Sequence, residues 1–78
     1  MTEKTRQHIL RLLESEIKGN KNRADEVRKW LDYHKKYDYD KMLEMYGKTI
    51  EEYEAEQMER IARYTARIEE LQEMYREI

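Results

Sequence analysis

Six side chains near the C-terminus, Ile61, Tyr64, Ile68, Leu71, Tyr75 and Ile78, follow one another at steps of three and four, the interval that lines residues along one side of an α-helix. A chain carrying such a stripe must cover it with something. Continued backwards, the register passes through Gln57, Glu54 and Ile50, with Tyr53 and Met58 beside it. The first half of this helix therefore reads as a globular packing surface, and the second half as a coiled-coil contact. Thr49 is placed to accept from the backbone N–H of Glu52, while the Glu52 carboxylate accepts from the Thr49 backbone N–H. Gly47 permits the preceding segment to end in a left-handed conformation. No Gly or Pro interrupts residues 50–78, so one helix ~43 Å long is expected there.

The rest of the chain must work with little apolar material. Its 78 residues allow one domain, residues 1–78, which buries only about 60 to 65 per cent of its unfolded surface. Leu, Ile and Val together number thirteen, Phe is absent, and 44% of residues are charged, a balance close to that of disordered chains. Seven Tyr and one Trp, with a net charge of only −2, tip the expectation towards a folded chain. Self-association would supplement a thin monomer core. The opening Met1 and the lack of a visible tag fit a short complete gene product. No signal-peptide core and no long apolar run are present, so a cytoplasmic location is expected, with no membrane role. The absence of Cys removes disulfides and thiolate chemistry.

Thr5 to Lys18 reads as a first helix, with Ile9, Leu10, Leu12, Leu13 and Ile17 as its apolar face and Thr2 or Thr5 as its cap. Gly19-Asn20-Lys21-Asn22 reads as a loop, and residues 23–36 as a second helix with Ala24, Val27, Trp30, Leu31 and His34 near one face. A competing reading keeps one helix, because Leu10, Leu13, Ile17, Asn20, Ala24, Val27, Leu31 and His34 hold a three-and-four series through the loop. Asp38 then caps a short helix over residues 39–46, with Tyr37 packed on Met42 as a staple and Gly47 as its stop. No strand is expected. The fold class is all-α: a small helical bundle, or a helical hairpin, with a long C-terminal helix over 50–78.

Helix lengths then bear on function. Two short helices would leave the stripe from Ile61 onward short of cover within the chain, whereas one joined helix would cover most of it and make a four-helix dimer natural. The expected function is a non-enzymatic protein–protein interaction, adaptor or regulatory module, self-associating as a homodimer through the C-terminal helix or binding a larger protein. Ile61, Tyr64, Ile68, Leu71 and Tyr75 are the proposed anchors, and Tyr39, Met42, Met45 and Tyr46 a second patch. A monomer core built from the same residues is the plain alternative.

Charge is divided along the chain. Residues 1–48 hold twelve Lys or Arg against nine Asp or Glu, a balance of +3, and residues 49–78 hold four against nine, a balance of −5. Lys18, Lys21, Arg23, Arg28, Lys29, Lys35 and Lys36 would give a nucleic-acid-binding accessory protein its basic stripe on a helix-turn-helix pair. Asp25, Glu26 and Asp32 dilute that field, and a solvated face explains it more simply. The carboxylates from Glu51 to Glu77 suggest mimicry of a phosphate backbone, but Arg60, Arg63, Arg67 and Arg76 interrupt them at intrahelical pairing distances.

Chemistry finds no foothold. His8 and His34 are far apart in sequence and belong to no zinc signature, and Asp38, Asp40 and Glu44 lack the order of a calcium loop. No metal or cofactor is expected. Gly47-Lys48-Thr49 ends like a phosphate-binding loop, yet Met42 stands where its first glycine belongs. Ser15 has no defined histidine base, and no catalytic residue is assigned.

Overall fold

The structure is a computed structural model describing residues 1–78. Its first element, α1, runs from Glu3 to Tyr37 as a single helix of 35 residues. Thr2 is its cap, accepting from the Thr5 backbone N–H at 3.1 Å. Glu3 in the first turn and His34, Lys35 and Lys36 in the last match the helix dipole at both ends. The break expected at Gly19 to Asn22 does not occur, so residues 5–18 and 23–36 belong to one rod. Packing explains why. Leu10, Leu13, Asn20, Ala24, Val27 and Leu31 are buried, with Ile17 and His34 half-buried between and after them, along the series that runs through the expected loop. A helical Gly costs about 1 kcal/mol relative to Ala, whereas each large aliphatic side chain fully buried contributes about 1.5 to 3 kcal/mol. Asn20 sits in this seam and donates its side-chain amide to the Glu16 carbonyl at 2.8 Å.

Residues after α1 reverse the chain. The Asp38 backbone N–H donates to the His34 carbonyl at 3.0 Å and closes the helix. A 3-10 turn, Tyr39–Lys41, leads into a five-residue helix, α2, Met42–Tyr46. Gly47 follows at φ 67°, the left-handed stop expected of it. Asp38 makes no side-chain cap on the turn that follows it; its carboxylate turns back to His34 instead. Tyr37, expected as a staple over Met42, leaves 60% of its surface open.

The return element, α3, runs from Ile50 to Glu77. Thr49 caps it, accepting from the Glu52 N–H at 3.1 Å. The Glu52 carboxylate accepts from the Thr49 hydroxyl at 3.2 Å, where the sequence suggested the Thr49 backbone N–H. α3 packs along α1 to form an all-α hairpin with extents of 57 × 15 × 15 Å. At ~1.5 Å per residue α1 is ~52 Å long and α3 ~42 Å, so α1 flanks α3 from end to end. Arg6 Nε donates to the Ile78 carbonyl at 2.9 Å near the open end, and Lys35 pairs with Glu54 at 3.1 Å near the closed end. The shortage of cover expected from Ile61 onward therefore does not arise; it presumed two short helices. No helix is long and apolar enough to cross a membrane.

Candidate protein interface

The hairpin divides the expected anchors into two groups. Ile61 and Leu71 are 6% and 2% exposed and form core with α1. Tyr64, Ile68 and Tyr75 are half-buried along its edges. Tyr75 donates its hydroxyl to Glu14 Oε1 at 2.9 Å, and this bond, ahead of the Glu14 charge and partial burial, raises the Tyr75 phenol above its ordinary range. Ile61 and Leu71 are thus buried between the two long helices of the chain.

The second expected patch also splits. Met42 has no exposed surface, because the 3-10 turn and α2 fold over it, so it is core rather than contact. Tyr39, Met45 and Tyr46 remain exposed, with Leu43 among them.

One exposed group escaped the sequence reading. Trp30, Tyr33 and Tyr37 are 54%, 48% and 60% exposed on α1, outside its buried seam with α3, whereas the sequence puts Trp30 near one face with Leu31. Their own steps of three and four were the available signal. Trp30 meets Tyr33 edge-on at 5.7 Å between centroids, and Tyr33 meets Tyr37 at 5.0 Å. Lys36 Nζ lies 5.3 Å from the Tyr37 ring centre, within cation–π range.

His34 holds this end together. Its Nδ1 lies 2.7 Å from Asp38 Oδ2, and its ring stacks on Trp30 at 5.8 Å and meets Tyr53 edge-on at 5.3 Å. Tyr46 and Tyr53 stack in turn at 6.2 Å. Burial, then the neighbouring Tyr46, raises the Tyr53 phenol above its usual range. Rings from α1, α2 and α3 form one connected surface whose inner members are fixed and whose outer members face solvent. Beside it, a cavity of about 310 Å³ opens between α1 and α3, lined by Trp30, His34, Tyr53, Tyr64, Arg23 and Arg60.

The expected basic residues all lie on α1. With α1 unbroken there is no helix-turn-helix pair. Lys21, Arg28 and Lys35 recur at intervals of seven and so share one edge of α1, and Arg23 lines the cavity on the other edge. Lys18 and Lys21 line a shallow groove with Glu14, Ile17 and Tyr75. Arg28 is paired with Asp25 at 3.1 Å, Lys35 with Glu54, and Lys36 lies over Tyr37. Lys29 borders Trp30 and Tyr33. No group of three His, Asp or Glu side chains converges as a metal site.

Compared with protein-family models, curated proteins and solved structures, the chain matches none.

Proposed function

We propose that this chain is a non-enzymatic, cytoplasmic protein–protein interaction module that acts as a self-associated unit, most simply a homodimer of hairpins. The observation that carries this is the imbalance of apolar surface. Nine apolar side chains are buried, and eleven large ones stay exposed, Trp30, Tyr33 and Tyr37 contiguously. A two-helix hairpin has only one internal seam, so any second apolar face on either helix needs a second molecule. Tyr, Trp and Met suit such a contact, because they bury large areas at low conformational cost. The homodimer fits the coiled-coil spacing of both helices, and it moves the contact from the C-terminal seam, which α1 occupies, to the outer surface of the hairpin.

Sedimentation velocity across a micromolar concentration series tests this. The expected result is a shift from the 9.8 kDa chain to twice that mass as concentration rises. A single species of monomer mass at every concentration would remove self-association.

A further inference from the structure

The inner seam of α1 has a companion. Each seam residue is preceded by one that lies ~100° around the helix, and these predecessors form a second three-and-four series from position 9 to position 33, continuing to Tyr37. All of its members are exposed or half-buried. Its two ends are apolar, Ile9 and Leu12 towards the open end and Trp30, Tyr33 and Tyr37 towards the closed end. Its centre holds Glu16, Gly19, Arg23 and Glu26.

Gly19 is the unexplained member. It is helical, and its backbone is not in the left-handed region that favours Gly. A Cβ added there would meet only the tip of Arg23, at 3.8 Å, an ordinary contact with a flexible side chain. Nothing within the hairpin calls for Gly at this position, where it weakens the helix relative to Ala. A residue without a side chain midway along this face lets a second helix come close once the flexible Arg23 side chain over it moves aside.

We infer that a second copy of this chain packs antiparallel on this outer seam of α1, about a two-fold axis at the level of residue 21. The inference rests on the self-association proposed above and names its surface. Alternating steps of three and four read the same in both directions, so one two-fold axis brings every position into register. It sets Leu12 against Trp30 of the second copy, Ile9 against Tyr33, and Gly19 against Arg23. Each apolar end then covers the opposite end of its partner, as an isologous interface demands. Glu16 and Glu26 fall at one level, with Arg23 of the second copy about one turn from Glu16 to offset their repulsion. The strip between Ile9 and Tyr33 is ~36 Å long. At the ~11 Å width of a helix with its side chains it would cover roughly 800 Å² in total from the two partners, below the ~1,200 Å² where standard interfaces begin and in the class of weak, transient contacts.

The experiment compares dimer dissociation constants and cross-linking. Leu12→Glu and Trp30→Glu are each expected to weaken the dimer at least tenfold while helicity by circular dichroism is unchanged. Met58→Glu, an exposed position on α3, is expected to leave it unaffected. The chain has no Cys, so a mixture of Gly19→Cys and Arg23→Cys chains reports on the axis. Oxidation should give the mixed 19-to-23 disulfide ahead of either like pair, read by mass. A wild-type dimer that tolerates both Glu variants and forms no mixed disulfide overturns this surface and leaves self-association standing. A wild-type monomer overturns both.

Discussion

The Tyr75 hydroxyl and the Glu14 carboxylate, 61 positions apart in sequence, meet at 2.9 Å and join the last turns of α3 to the N-terminal half of α1. This contact exists because α1 continues through Gly19 and so runs back along the whole return helix. The same continuity covers Ile61 and Leu71 within the chain and leaves Leu12, Trp30, Tyr33 and Tyr37 of α1 exposed.

Tyr75 carries a pH dependence with a definite sign. Its phenol is raised in the folded state by donating to Glu14, so the stability it contributes is present below the ordinary phenol pKa of about 10 and is lost as pH rises through the raised value. Urea unfolding of wild type and Tyr75→Phe between neutral pH and strongly alkaline pH should show the wild type losing its advantage at the alkaline end. Glu14→Gln should return the Tyr75 titration towards the ordinary range in a spectrophotometric comparison.

Gly19→Ala is expected to stabilise the hairpin by about 0.5 to 1 kcal/mol, measured by thermal unfolding of dilute protein. The added methyl meets nothing but the Arg23 side chain at 3.8 Å. A loss of stability under those conditions would mean that the helix is not continuous there.

Met42→Ala should cost about 2 kcal/mol or more, because the side chain has no exposed surface and the space it leaves cannot fully collapse. The urea midpoint should fall with an unchanged slope. A change below about 0.5 kcal/mol, the scale of an ordinary surface substitution, would show that the connector does not close over it.

Asp38→Ala removes the partner of His34 Nδ1 and is expected to cost about 1 kcal/mol. His34 touches the Trp30, Tyr33, Tyr46 and Tyr53 rings, so near-ultraviolet circular dichroism should weaken with it. An unchanged aromatic spectrum would show that the cluster holds without this bond.

Much of the hairpin was legible because α3 obeys local rules that agree with one another: the Ile61-to-Ile78 spacing, the Thr49 cap, and Gly47 as a left-handed stop. α1 was harder, since Gly19-Asn20-Lys21-Asn22 has turn chemistry and only the long-range seam with α3 outweighs it. Asn20 looked like a loop residue, yet it lies buried with its amide bonded to the Glu16 carbonyl. The exposed face was obscured for a related reason. Trp30 adjoins Leu31 in sequence, which suggests a shared side, although one residue turns a helix by ~100°. Met42 fell the other way: its exposure depends on how the connector folds, which no periodicity in five residues can specify.

Trp30 is the chain's single tryptophan and stands half exposed on the outer seam of α1, so its fluorescence reports on that surface without a label. Emission recorded across the concentration range of the sedimentation series should move to shorter wavelength as the protein is concentrated, in step with the rise in mass. Emission that stays at one wavelength from the most dilute to the most concentrated sample would contradict burial of this face by a second copy.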